Sequence, residues 1–265
     1  MKLQLLLFTL CITIFSCSTE SLDNSEKETT DSTLLKKVIY DKDTEDEYIV
    51  TYSYDENKLT KLEGEDGYKN VYTYEGDLLV KEESFLDGEL GAYVTLEYNS
   101  VGVLVQYKEY WLDSSGLPES TYKHVLTYNS DKTITNDVYT GDHNSQTELY
   151  FTELISFDGK NISKLKDNDN VTEYLYSYDD KNGMFKNVHA IEVLNLLSQN
   201  EFGPYIMGNT NNITIDKEIY DQQSNHTTSE YIYNENDYPV SAINKYYNNG
   251  VLDEQQTETI NFYYE

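Results

Sequence analysis

Residues 48–80 read YIVTYSYDENKLTKLEGEDGYKNVYTYEGDLLV. Tyr48, Val50, Tyr52 and Tyr54 alternate with Ile49, Thr51 and Ser53, and Tyr68, Tyr72 and Tyr74 resume the pattern. Successive side chains of an extended chain point to opposite faces, so a period of two is strand geometry; Tyr, Val, Thr and Ile are also good strand formers. Between the alternating runs stand Asp55-Glu-Asn57 and Gly64-Glu-Asp-Gly67. Asp and Asn bond their own backbone and Gly accepts a left-handed conformation, so both segments are turns. The stretch reads as antiparallel hairpins.

The unit recurs. It runs aromatic or aliphatic, any residue, Tyr or Phe, then Asp, Asn or Glu, a short turn and an apolar residue. Copies begin at Tyr52, Tyr72, Leu96, Leu126, Ile155, Tyr176 and Tyr231. A second set of turns falls between them: Asp87-Gly88, Ser114-Ser-Gly116, Gly141-Asp142, Asp167-Asn-Asp-Asn170 and Asn248-Asn-Gly250. Turns about every 8–12 residues divide residues 34–265 into roughly sixteen strands, each paired with its sequence neighbours. An open sheet of that size leaves two bare edges, and closure removes them. The expected fold is all-β, an antiparallel up-and-down meander closed into a barrel. A long twisted sheet or a two-sheet sandwich also satisfies the strand count.

One segment breaks the rhythm. Residues 186–198, KNVHAIEVLNLLS, put Val188, Ile191, Leu194 and Leu197 on one helical face, with Asn187 as the expected N-cap. A loop with Gly203, Pro204 and Gly208 follows. The short helix either plugs the barrel or packs against one sheet face.

The N-terminus reads as an address. Residues 1–16, MKLQLLLFTLCITIFS, have one early Lys and an apolar stretch too short to span a bilayer, as in a signal peptide. Ile14-Phe15-Ser16-Cys17 resembles a bacterial lipobox, with Phe15 bulkier than usual. The resemblance implies cleavage before Cys17 and its acylation, which anchors the chain stably through more than one acyl chain. Cys11 and Cys17 are the chain's 2 cysteines, so the body has no disulfide, no thiol nucleophile and no cysteine metal site. Residues 17–33 are polar and acidic and read as a tether. Glu20, Asp23 and Glu26 also resemble the surface-export signal of Bacteroidetes lipoproteins. Residues 34–265 form a single domain.

Charge excludes one large class of partner. The chain carries 48 acidic against 19 basic side chains, a net charge of −29, and phosphate backbones repel it. Self-repulsion favours a monomer near neutral pH, with association expected toward the isoelectric point near 4.3.

The Tyr-rich hairpins, Phe185-Lys-Asn-Val188 opening a helix with Leu194, Leu196 and Leu197, then Phe202-Gly-Pro204, Asn209 to Asn212 and Tyr238-Pro239, are similar to a family of Bacteroidetes lipoproteins of unknown function. The resemblance covers about residues 35–265 and is most specific over 183–213, because hairpin repeats also occur in unrelated YD-repeat proteins. It implies a porin-like barrel and carries no functional residues across. It also implies a Gram-negative, Bacteroidetes-like source and an outer-membrane anchor facing either the periplasm or the cell surface.

A porin-like outline need not be a pore. A membrane barrel needs an apolar lipid-facing band about 25 Å tall. Here Lys81 and Glu83 share one strand face and Glu82 takes the other, while Lys108 and Glu109 stand on opposite faces. The expected body is therefore water-soluble, with Tyr-rich faces turned partly inward and an interior wetter than an aliphatic core.

No catalytic or cofactor motif is present. His124, His143, His189 and His226 have no metal-ligand spacing. The acidic cluster at Asp41, Asp43, Glu45, Asp46 and Glu47 lacks the Gly of a calcium loop, and Asp167–Asn170 reads as a turn. The expected site residues are therefore Cys17 for lipid attachment, with no catalytic, cofactor or metal residues. Tyr side chains and Trp111 suit either cross-strand pairing or stacking on sugar rings. Three functions compete: a non-catalytic binder of a glycan, peptide or envelope protein; a glycan hydrolase using two carboxylates; and a structural subunit of an outer-membrane complex.

Overall fold

A computed structural model describes residues 32–168, 171–197, 210–221 and 223–265. The signal peptide, Cys17 and the loop with Gly203, Pro204 and Gly208 lie outside the described residues.

The first half of the chain forms β1 (Leu35–Tyr40), β2 (Tyr48–Asp55), β3 (Lys58–Gly64), β4 (Tyr68–Glu75), β5 (Leu78–Leu86), β6 (Glu89–Tyr98), β7 (Leu104–Leu112) and β8 (Pro118–Tyr128). The second half forms β9 (Ile134–Asp142), β10 (Ser145–Asp158), β11 (Asn161–Asp167), β12 (Thr172–Tyr178), the helix α1 (Ile191–Leu197), β13 (Ile213–Tyr220), β14 (Gln223–Tyr233), β15 (Pro239–Asn248) and β16 (Val251–Tyr264). Every strand pairs antiparallel with its sequence neighbours, and β1 pairs with β16 to close the barrel. The edges are sealed by Leu34 and Glu265, whose backbones exchange hydrogen bonds of 3.2 and 3.0 Å. The sixteen-strand up-and-down barrel expected from the repeats is the fold; the open-sheet and sandwich alternatives are not.

The repeat has a structural job. Its Tyr reaches across to the neighbouring strand and donates its hydroxyl to a backbone carbonyl there. Tyr54 bonds Leu35, Tyr98 bonds Leu79, Tyr128 bonds Leu104 and Tyr178 bonds Ile162, at 2.5 to 2.9 Å. Two copies depart from this: in the last, the first residue, Tyr231, bonds the Ile213 carbonyl while Tyr233 bonds Asp179, and the Tyr74 hydroxyl is left without a partner. A buried Tyr ring needs a partner for its hydroxyl, and the carbonyl supplies it without a second side chain. Register shifts precede the repeat aromatic at Ser53/Tyr54, Thr73/Tyr74, Glu97/Tyr98, Ser156/Phe157 and Ser177/Tyr178. Such bulges increase strand twist and curl the sheet.

Because the chain meanders, the two sets of turns lie at opposite ends. At the end with the repeat turns, the described stretch that follows β12, residues 179–197, crosses the barrel mouth. It is tied to three hairpin turns: Asn57 donates to the Asn187 carbonyl, a His189 ring nitrogen lies 2.7 Å from the Asp77 carbonyl, and Lys181 pairs with Asp237. Phe185, 1 % exposed, packs edge-on against Tyr52 at 5.3 Å. Val188, Ile191, Leu194 and Leu197 join the same buried cluster. Of the two alternatives, the plug is realised.

Two expectations need correction. The helix starts at Ile191, not near 186, and Asn187 is not its N-cap. The Asn187 amide instead donates to the Thr33 carbonyl and the Tyr238 hydroxyl, and the Ala190 carbonyl accepts the first helical bonds, from Val193 and Leu194. Residues before the helix are spent on tying the plug to the barrel, so the first turn forms only beyond them. The copy at Tyr176 also departs from the hairpin pattern: the chain leaves Tyr178 into the plug instead of turning into a strand.

Candidate site: a carboxylate-lined cleft at the open end

Cross-strand partners share a face, so the register separates lumen from exterior. Outside, Lys69 lies over Phe85, Lys81 over Tyr93 and Lys123 over Tyr139, at 4.4 to 5.4 Å. Lys81 pairs with Glu83, and Lys164 and Lys166 converge on Glu173. No helix among the described residues is long and apolar enough to cross a membrane.

Inside, the lumen has two layers. Near the plug it is apolar, with Leu59, Leu62, Leu79 and Ile162 buried. Further along it turns polar. Asn70, Glu82, Glu109, His124 and Asn136 are all buried, on β4, β5, β7, β8 and β9 of one wall. Asn70 donates to Glu82 at 2.7 Å. His124 stacks on Tyr107 at 4.1 Å, approaches Asn136 Oδ1 at 3.3 Å through Nδ1, and places Nε2 3.2 Å from Glu109 Oε1. Burial pushes the Glu82 carboxyl up to about 7, with the Glu109 charge adding to the shift. It does the same to Glu153, also to about 7, with Asp167 adding. Across the lumen, burial raises Asp216 to about 6, with help from Glu218, and Glu258 is raised as well. Carboxylates removed from water hold their protons longer.

Two cavities open onto this layer. One, of about 240 Å³, lies beneath Met184 and Asn212 of the plug segment and reaches Asp216, Asn244 and Glu258. The other, of about 560 Å³, lies at the opposite end, against the β7–β8 hairpin and β10. Glu109, His124 and Tyr122 line it with Trp111, Glu119, Ser120, Tyr150 and Phe151. Tyr150 is 63 % exposed, so this wall is open to solvent. The larger cleft combines aromatic walls with buried ionisable groups, as binding sites do.

Of the residues weighed from sequence, Trp111 and His124 meet in the cleft. His189 belongs to the plug, His226 stacks on Tyr247, and His143 sits in the β9–β10 turn beside Asn144. Asp41 is occupied by the Thr259 amide and hydroxyl, and among the described residues no three His, Cys, Asp or Glu side chains are grouped to hold a metal ion. Sequence reading missed the Glu109–His124 pair. The usable signal was the placement of Lys108 and Glu109 on opposite faces, which turns Glu109 inward as soon as Lys108 is solvated.

No protein-family model matches the sequence, and no curated protein matches it. Solved structures do resemble it. A porin-like protein from Bacteroides uniformis shares 15 % identity at a TM-score of 0.53, covering 88 % of this chain and 96 % of that one. A porin-like protein from Bacteroides vulgatus shares 12 % identity at a TM-score of 0.53, covering 88 % and 99 %. At these identities the likeness establishes the fold: this chain is an all-β, porin-like barrel of sixteen strands.

Proposed function

We propose that the protein is an outer-membrane lipoprotein of a Bacteroidetes-type envelope that binds a glycan in the cleft at the open end of its barrel. The cleft carries the reading: about 560 Å³ of space walled by Trp111, Tyr122, Tyr150 and Phe151, with Glu109 and His124 inside it. Flat rings match the apolar faces of sugars, and the polar groups provide partners for hydroxyls. The anchor is Cys17, followed by the tether to residue 33. The porin-like neighbours from Bacteroides support an envelope setting. The outward lysines and glutamates support a body that stands in water rather than in lipid.

Trp111 is the chain's 1 tryptophan, so its emission reports on the cleft directly. A panel of envelope and plant glycans titrated against the chain should include members that shift this emission saturably. An unresponsive Trp111 across the panel contradicts the reading. Hydrolysis is the second reading, and Glu109 and Glu119 in the cleft are its motive. The acids raised to about 7, Glu82 and Glu153, do not line the cleft, so binding is preferred. Product formation from a bound glycan, lost in Glu109→Gln, would reverse that preference.

A further inference from the structure

The charge of the cleft is one-sided. Among the described residues Glu109 and Glu119 line it, His124 is the only basic side chain there, and no Lys reaches it. On the same wall, the Glu109 charge helps to raise Glu82, and Glu153 lies within electrostatic reach of His124. Carboxylates outnumber the one imidazole, even when that ring is protonated. Glu109 is 5 % exposed, and its Oε1 accepts no hydrogen bond, because His124 Nε2, although 3.2 Å away, stands outside hydrogen-bonding geometry. A buried carboxylate oxygen without a donor is costly, and a cationic donor relieves it best. The surrounding aromatic rings attract positive charge as well, since their faces carry the negative lobes of the ring quadrupole.

We infer that the cleft selects a ligand bearing a protonated amine, such as an amino sugar with its nitrogen free, with Glu109 as counter-ion and the aromatic side chains as walls. The inference rests on the glycan-binding reading and adds the charge of the sugar. Three observations favour an organic cation. The lining sets Trp111, Tyr122, Tyr150 and Phe151 around the carboxylates of Glu109 and Glu119. Among the described residues no side-chain group is arranged for a metal ion. The net charge of −29 concentrates cations and repels anionic polysaccharide. Glu82 and Glu153, held near 7, mark how strongly this wall resists further negative charge, and a bound ammonium offsets that resistance.

The test compares two probes that differ in charge: a glucosamine tetramer, in buffer acidic enough to protonate its amines, and its N-acetylated, neutral counterpart. Both are titrated against the mature chain while Trp111 emission is followed. The charged tetramer should bind about tenfold more tightly at low salt, and added salt should erase the advantage. Glu109→Gln should remove the difference between the two. If that variant fails to fold, Glu119→Gln at the exposed rim should reduce the difference by a smaller factor. Equal binding of both tetramers overturns the amine inference and leaves glycan binding standing. No response to either tetramer overturns the amine inference, and an unresponsive wider glycan panel then removes the binding reading too.

Discussion

The two ends of the barrel share every strand yet differ in chemistry. At the plugged end packing dominates: Phe185 fills the mouth against Tyr52 and most Tyr hydroxyls of the repeat close on strand carbonyls, although the Tyr74 and Tyr264 hydroxyls are buried without a partner. At the open end, one buried oxygen of Glu109 faces His124 Nε2 yet accepts no hydrogen bond, and a cleft admits solvent. Packing stabilises the first end and is set aside at the second. Binding sites are commonly built on this pattern, in which a rigid element holds groups that would be poor choices for stability alone.

The contrast makes graded predictions. The largest effect belongs to the plug. Phe185→Ala removes a fully buried ring and should destabilise the barrel by roughly 3–5 kcal/mol, as measured by urea unfolding. A loss below about 1 kcal/mol would mean that the plug does not hold the barrel.

The buried carboxylates of the lumen should show their strain in pH. The folded pKa values of Glu82 and Glu153 are raised to about 7, above the ordinary value of 4.5. Between those limits the folded state binds more protons than the unfolded one, so stability is greatest at low pH in this window and falls as pH rises through about 7. Asp216, raised to about 6, acts in the same direction. Melting temperature should therefore decline from about pH 5 to about pH 8, and Glu82→Gln should flatten the decline. Melting curves that rise over that window would contradict the burial of charge in the lumen.

Smaller effects separate inner from outer tyrosines. Tyr98→Phe leaves the Leu79 carbonyl unanswered and should lower stability by about 1 kcal/mol. Tyr93, stacked on Tyr110 on the outer surface, should tolerate Phe within about 0.5 kcal/mol. Similar losses at both positions would show that the hydroxyl ladder carries no weight.

Most of the wall was legible in the sequence, because alternation and turn chemistry are local. Tyr52 to Tyr54 and Asp55 to Asn57 specify strand and turn without reference to distant residues. Closure was an argument about bare edges, and the Leu34–Glu265 pairing fulfils it. The helix start was misread because Asn187 looks like a cap until its tertiary partners, Thr33 and Tyr238, are known. The Glu109–His124 pair stayed hidden for a related reason. Bulges such as those at Glu97/Tyr98 and Trp111/Leu112 shift the register by one residue, so diagonal neighbours on adjacent strands cannot be read from spacing.

The asymmetry of the ends has one direct measurement. Cys11 and Cys17 are the chain's 2 cysteines, so residues 18–265 accept single reporter thiols. Ser120→Cys lines the cleft, and Leu194→Cys lies in the plug, 2 % exposed. Under native conditions a thiol reagent should modify position 120 rapidly and position 194 only at the rate of unfolding. Equal rates, or faster labelling within the plug, would contradict a barrel packed at one end and open to solvent at the other.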